Sequence, residues 1–439
     1  MLVRKLLESR GPQFLRRLWT APTNAAIPAS RAHTILPSDV LVEEERIPGY
    51  DPKHFYPVNP GDLFPIVMRC WPRSDGALLL QWWWQSNRYV VLKVIASPYI
   101  DRDAAKHELN IDRRLKTNPS HNGFLFVRTT LDSCEATGPD DRHFCLVYEP
   151  LREPLWIFQR RWEDGKLPPS IVKVYTRFLL QGLNYLHSEC RVIHTDLKPD
   201  NIMMRFEDPS VIEDFVQKQV ENPMPRKIKD GRSIYQSHND FGRLKSLRVL
   251  PMIADFGLAE LGDGPEPLRH PIQPPLYHAP EVLLGTGWTY SADIWNLGVL
   301  IWNLMENKDL FRHIRSSQGA YDPRAHLAEM IALLGPPPKT LINREERWSE
   351  VKWSHAVPNA EGELCQTARE YYGGPFFNSE GEFLYKDLIP NNFNLPDSVL
   401  SLKGEDKQRF LDFVRHMLRW SPEERKTAKE LLEHPWLVL

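Results

Sequence analysis

The sequence predicts an α+β fold in two lobes, a small strand-rich lobe followed by a large helical one. Two short β-branched runs, 88–95 (RYVVLKVI) and 143–148 (HFCLVY), lie in the first third of the chain. Runs of this length and composition read as strands. From Ser170 onward, by contrast, apolar residues recur at helical spacing: Val174, Phe178, Leu179, Leu183 and Leu186 make one stripe. Strands first and helices after is the α+β order, not the alternation of a parallel α/β sheet.

The elements follow from the N-terminus. Within the first 35 residues Arg4, Lys5, Arg10, Arg16, Arg17 and Arg31 face a single acid, Glu8. Residues 1–45 therefore read as a disordered basic tail or an Arg-rich, acid-poor mitochondrial targeting segment. Residues 46–151 form the small lobe, with a polar, turn-rich entry at 43–60 and a helix at 103–115. Residues 152–439 form the large lobe. Near its end Ser421-Pro422-Glu423-Glu424 and Thr427 to Glu430 carry the hydroxyl, proline and glutamate spacing of helix starts.

Composition bounds the function classes. Apolar residues at 42% and charged residues at 26% of 439 suit a soluble globular protein with a full core. A formal charge of −2 gives no global pull toward nucleic acid or an acidic membrane surface. Cys70, Cys134, Cys145, Cys190 and Cys365 form no CxxC pair, which argues against a disulfide framework or zinc ribbon and fits a reducing compartment. The run from Leu297 to Met305 is already interrupted by Asn303, far short of the roughly 18 apolar residues of a membrane span.

The chemistry concentrates in residues 192–204, VIHTDLKPDNIMM. Phosphoryl transfer needs an acceptor for the attacking hydroxyl's proton, a cation for the moving phosphate and oxygen ligands for magnesium. Asp196, Lys198 and Asn201 supply those groups within one short stretch. Asp255-Phe256-Gly257 and then Ala279-Pro280-Glu281 follow in order, completing the signature set of protein kinases.

From residue 88 to the end the chain resembles a eukaryotic protein kinase. By that resemblance Asp196 is the catalytic base, Lys198 the partner of the transferring phosphate, and Asn201 and Asp255 the magnesium ligands. Lys93 is then the lysine that holds the α- and β-phosphates of ATP, and Glu108 its helix partner. Strand alternation puts Val91 on the face of Lys93, beside the adenine. Glu149 C=O and Leu151 N–H are the adenine contacts of the linker. Glu281 and Arg425 sit where the family has a buried ion pair, and Asp293 where it has the brace of the catalytic loop. Asp112 stands where an apolar residue is usual. The implied enzyme is an ATP- and Mg2+-dependent serine/threonine kinase acting on protein hydroxyls; the alternative is a catalytically impaired scaffold.

Residues 326–338 (HLAEMIALLGPPP) resemble the insert of the group that holds cyclin-dependent and mitogen-activated kinases. HTDLKPDN, the entry YDPKHFYPVNPGDLF and a long spacer resemble SR-protein kinases, and LREPLWIFQRR their fungal relatives. That branch implies Arg/Ser-rich protein substrates, with no direct nucleic-acid or membrane partner expected, a monomeric state, and a cytoplasmic or nuclear location. Asp196 and Asp255 are about 40 residues further apart than in the usual motif set. The insert, 206–248, carries a helix that Ser210 and Glu213 should cap, with Ile212, Phe215, Val216 and Val220 as its apolar face. It reads equally as a bracing element and as a solvated loop with one helix.

Two features bear on regulation. Thr195 replaces the arginine that usually precedes the base, and residues 258–280 contain no serine or threonine. A phosphorylated Ser or Thr in that segment is therefore not the expected switch. One region breaks the pattern: residues 59–87 hold only Gly61 and Gly76, with Pro65, Pro72 and the Trp82-Trp83-Trp84 run, where a glycine-rich phosphate turn belongs. A variant lid, a scaffold protein and a shifted reading frame each account for it, and no residue of 59–87 is assigned to ATP.

Overall fold

The computed structural model describes residues 34–46, 50–57, 63–64, 68–72, 78–83, 88–95, 102–139, 142–236 and 240–438. The basic stretch 1–33 lies outside them, as do Trp84 and residues 73–77.

The small lobe is one antiparallel sheet of six strands. These are β1 (Leu63–Phe64), β2 (Met68–Pro72), β3 (Leu78–Trp83), β4 (Arg88–Val94), β5 (Thr130–Thr137) and β6 (Arg142–Tyr148), in the order β1-β2-β3-β4-β6-β5. The helix α1 (Arg102–Leu115) connects β4 to the later strands. Strand β4 is central: it pairs with β3 from Leu78↔Lys93 to Trp83↔Arg88 and with β6 from Val91↔Tyr148 to Val94↔Cys145. Its alternation divides the lobe. Val90, Leu92 and Val94 join Ala136, Cys145 and Val147 in one buried cluster, while Val91 belongs to another.

The prolines of 65–72 do not abolish strand structure there. β2 and β3 pair from Met68↔Trp83 to Pro72↔Leu79. Pro72 is the last residue of β2, where a missing N–H costs the ladder little, and Pro65 lies outside the described residues.

The large lobe is built on helices, introduced here in chain order: α2 (Leu155–Gln159), α3 (Pro169–Tyr185), α4 (Ser210–Glu221), α5 (Pro280–Leu283), α6 (Ser291–Glu306) and α7 (Pro323–Leu334). Four short strands frame the site: β7 (Val192–Ile193) pairs with β12 (Glu260–Leu261), and β8 (Ile202–Met204) with β11 (Pro251–Ile253). α3 lies deep in the core. Leu179, Leu183 and Leu186 are buried as expected, but Val172, Tyr175 and Leu180 are buried too, while Val174 and Phe178 are only half-buried. A central helix is packed on several sides, so a single stripe understates its core face. α6 is the extreme case, buried from Ala292 to Trp302.

Three cap expectations resolve differently. The capping box at Thr427 and Glu430 forms, with Thr427 N donating to Glu430 Oε2 at 2.8 Å. Ser421 caps nothing; a single 3-10 turn follows it and Arg425 then turns into the core. Ser210 is the first residue inside α4, and Asp208 Oδ1 accepts both its N–H (2.9 Å) and its hydroxyl. The face α4 buries is led by Val211 and Phe215, with Ile212 and Val216 half-buried.

The insert is folded and packed, not a solvated loop. After α4 it forms the hairpin β9 (Arg226–Lys229) and β10 (Arg232–Tyr235). The expected tail is shorter than 1–45, because residues 34–46 pack against that hairpin. Leu36 N donates to Arg226 O at 2.8 Å and Arg226 N to Thr34 O at 2.9 Å. Lys227 forms a fully buried ion pair with Glu45 and donates to Val40 O at 2.8 Å. Among the described residues no helix is long and apolar enough to cross a membrane.

Candidate active site

The loop between β7 and β8 carries the central residues, and α6 sets its shape. Asp293, fully buried, accepts His194 N at 2.8 Å and Thr195 N at 2.9 Å. Those bonds hold Thr195 at φ 65°, a left-handed conformation that a β-branched residue adopts only when its surroundings impose it. His194 Nδ1 accepts Asp196 N at 3.3 Å, so its Nε2 carries the proton that goes to Ala254 O at 3.0 Å. Phe256 packs on the same imidazole at 5.0 Å. The loop thereby tethers the Asp255 segment from below.

On this frame Asp196, Lys198 and Asn201 converge. Lys198 Nζ lies 2.8 and 3.1 Å from the two Asp196 carboxylate oxygens. Asn201 Nδ2 donates to Asp196 Oδ2 and to its backbone oxygen, both at 2.8 Å. Its amide nitrogen is thus engaged, leaving Oδ1 as the ligand atom it offers.

Above the loop, Lys93 Nζ reaches Glu108 at 3.0 Å and Asp255 at 3.4 Å. α1 is therefore seated with Glu108 inward, as the resemblance implies. Burial works against the Lys93 ammonium, yet the Asp255 and Glu108 carboxylates outweigh it and hold its pKa above the ordinary lysine value. Asp255 shows the converse. Desolvation raises its pKa, but the Lys93 charge, with His194 and the Gly257 N–H, holds it below the usual carboxylate range. It stands ionised at φ 62° with its side chain 58% exposed to the cleft. An exposed anionic oxygen pair beside an amide oxygen is a hard donor set that fits Mg2+.

Asp112 does not leave the helix poorly seated. Its carboxylate accepts Thr130 N (2.9 Å), Thr130 Oγ1 (2.6 Å) and Lys116 Nζ (2.6 Å). A polar knot joins α1 to β5 where an apolar contact was expected.

At the other end of the cleft, Glu149 and Leu151 follow β6 at the junction of the lobes. Leu151 packs with Met203, Met252 and Ala254. Met203 and Arg128 escaped the sequence reading. Met203 had a signal, lying two residues after Asn201 on the next strand. Arg128 had none: its guanidinium lies 4.3 Å over the Tyr148 ring, with Nη2 3.4 Å from Glu149 O, a contact made from the segment before β5 to the end of β6.

Residues 258–280 are held by contacts that involve no phosphate. The Thr195 hydroxyl donates to Leu258 O at 2.7 Å, and the His107 ring meets Ala259 O at 2.8 Å. Arg114 pairs with Asp263 at 2.6 Å, and Gln273 spans Asn296 Oδ1 (2.7 Å) and Ala279 N (2.7 Å). At its end Glu281 and Arg425, both with side chains 0% exposed, form a bidentate pair at 2.6 and 2.6 Å.

Beside that pair, Tyr321 Oη bridges His278 Nδ1 (2.8 Å) and His326 Nδ1 (2.9 Å). Burial presses the His278 pKa down to about 3 and that of His326 well below its ordinary value. Both are thus neutral in the fold, whereas the unfolded chain takes up their protons below about pH 6.5. Stability should therefore fall by about 1.4 kcal/mol per pH unit for each ring as pH drops from 6.5. Urea midpoints at pH 7.5 and 5.5 measure the slope, and His278→Gln should flatten it. Elsewhere Asp412, His416 and His434 bring potential ligand atoms within 4.8 Å. However, His434 Nδ1 accepts Trp436 N at 3.1 Å, so its Nε2 is protonated toward Asp412. That is a helix-end brace, not a metal centre.

This fold, with an exposed ionised carboxylate, a loop acid and a lysine–glutamate pair at one cleft, suits phosphoryl transfer, and the chain belongs to the protein kinase domain family, which it matches over residues 83–437. Within that family it is a serine/threonine kinase of the SR-protein kinase and CLK kind. It is 36% identical over 427 residues to a serine/threonine protein kinase of Aspergillus fumigatus, covering 95% of this chain and 96% of the relative. It is 25% identical over 421 residues to the serine/threonine-protein kinase SRPK of Physarum polycephalum (90% and 92% covered). It is 27% identical over 358 residues to the dual specificity protein kinase CLK1 of Homo sapiens (80% and 61%). A crystal structure of a kinase domain shares the fold at TM-score 0.62 and 22% identity, covering 88% of this chain and all of that one. None of these similarities favours the scaffold alternative.

Proposed function

We propose that this kinase uses Mg-ATP to phosphorylate serine or threonine in Arg/Ser-rich protein substrates. The observation that carries the reading is the facing of two groups across one cleft: Asp196 with Lys198 and Asn201 below, and Lys93 held between Glu108 and Asp255 above. Asp196 orients the substrate hydroxyl and takes its proton, and Lys198 neutralises charge on the moving phosphoryl group. Lys93 holds the α- and β-phosphates. Asp255 and Asn201 Oδ1 would hold Mg2+, which supplies charge neutralisation between the phosphates. Glu149 C=O and Leu151 N–H orient the adenine. The substrate class is supported by the relative named SRPK. A monomer of cytoplasmic or nuclear location accompanies this reading; the mitochondrial alternative rests on residues 1–33.

Activity is set without phosphate on residues 258–280, since Thr195 binds Leu258 O and the segment is tied down throughout. The purified chain should phosphorylate an Arg/Ser peptide and not its Arg/Ala counterpart. Phosphatase pretreatment should leave the rate within about twofold, well under the effect of losing an ordering phosphate. Phosphorylation of neither peptide, or silencing by phosphatase, would contradict the respective half of the proposal.

A further inference from the structure

The insert leaves the large lobe at β8 and returns at β11, the two strands that carry Met203 and lead into Asp255. Both its ends therefore emerge beneath the adenine end of the cleft. What it does there is visible at Val91. This residue is two positions from Lys93 on β4, so the two share the face turned to the cleft. Its side chain is 0% exposed and lies in one buried cluster with Val211, Phe215, Met224 and Phe241, all from the insert. Tyr89, next along the same face, and Tyr148 pack on the cluster. Phe241 is gripped from two sides, 4.8 Å from the Phe215 ring and 5.0 Å from Phe206. The insert thus covers the face of β4 to which the kinase reading assigns the adenine ring.

Polar contacts hold it at both edges. Next to the inter-lobe linker, Arg152 is fully buried. It donates to both Glu207 carboxylate oxygens at 3.2 Å and to Gly242 O at 2.7 Å, which also accepts Arg161 Nη1 at 3.0 Å. At the far edge the buried Lys227–Glu45 pair ties hairpin β9–β10 to the N-terminal segment. These two clasps bracket α4 and Phe241.

We infer that the insert is an internal competitor of ATP: α4 and Phe241 occupy the adenine end of the cleft, and nucleotide binds only when they withdraw. The inference rests on the kinase reading above and adds a regulatory step to the same site. The catalytic residues are assembled while the adenine surface is covered, so control falls on nucleotide entry and not on the phosphorylation of residues 258–280. Apparent ATP affinity is then the intrinsic affinity multiplied by the fraction of molecules whose insert is open.

The test uses the full chain, with Mg-ATP as the probe. Phe215→Asp and, separately, Phe241→Ala weaken the closed state without touching a residue assigned to catalysis. Each should lower the KM for ATP by about tenfold or more, as expected if the wild-type open fraction is small, with the KM for the Arg/Ser peptide unchanged. Hydrogen exchange on the unmodified chain reads the same event without a substitution. Adding Mg-ATP should raise exchange across 211–221 and near 241. Variants that still phosphorylate the peptide with unchanged ATP KM overturn the inference and leave the kinase reading standing. Slower or unchanged exchange over 211–221 on saturation with Mg-ATP overturns it as well. Variants that bind no nucleotide at all overturn both.

Discussion

Asp196→Asn is expected to lower the phosphoryl-transfer rate by about 10²- to 10⁴-fold, the usual contribution of a positioned proton acceptor. Affinity for Mg-ATP should stay within about twofold, because the proposed metal ligands Asn201 and Asp255 and the phosphate lysine Lys93 are untouched. The geometry sharpens the expectation. Asp196 Oδ2 accepts both Lys198 Nζ and Asn201 Nδ2, and an asparagine carbonyl oxygen in that place can keep both, losing only the Lys198 contact to Oδ1. The loop, fastened by Asp293 to the backbone of His194 and Thr195, should therefore keep its shape. Single-turnover transfer to an Arg/Ser peptide, with nucleotide binding measured by calorimetry, separates the two quantities. Near wild-type transfer would remove Asp196 from the chemistry.

Arg425→Ala should destabilise the fold by about 3–5 kcal/mol, because it strands the Glu281 carboxylate in a site that water does not reach. The guanidinium also donates to Arg419 O (3.1 and 3.0 Å) and Ser291 O (3.0 Å) and lies 5.1 Å from the Trp295 ring centroid. The loss therefore removes packing under α6 as well as an ion pair. Lysine should not rescue it, since a single ammonium cannot reproduce the two parallel bonds to Glu281. Urea unfolding gives the free energy directly. Replacing both partners together, Glu281→Leu with Arg425→Met, should recover part of the loss, since a removed buried pair costs less than a broken one. A single-variant loss under about 1 kcal/mol would place this pair among ordinary surface bridges.

The residues proposed to act on the phosphates were legible in the chain because their spacing is local. Asp196, Lys198 and Asn201 sit within one loop, and the structure brings them together with Lys93, Glu108 and Asp255. Strands β4 and β6 were readable from their short β-branched runs for the same reason. The pairing of β2 with β3 was not legible, because Pro72 marks a break in the chain's pattern and only the ladder shows that it ends a strand. Asp112 looked like a defect in a list of motifs. It is a bonded residue whose partner Thr130 is distant in sequence.

The chain by itself determined the reaction class, since the order and spacing of its acids, lysines and asparagine leave few other chemistries. Only the tertiary structure decided what the departures do. Thr195 gains a role when Leu258 O comes within 2.7 Å, and Arg128 when its backbone, bonded to Ile253 O, sets its guanidinium over Tyr148. The insert changes from a spacer to a packed element when Phe215 and Phe241 join the buried cluster that holds Val91. Those contacts join residues far apart along the chain, and no periodicity encodes which buried apolar face will meet another. Local pattern specifies the element and its apolar side; the partner is set by how whole elements exclude water together.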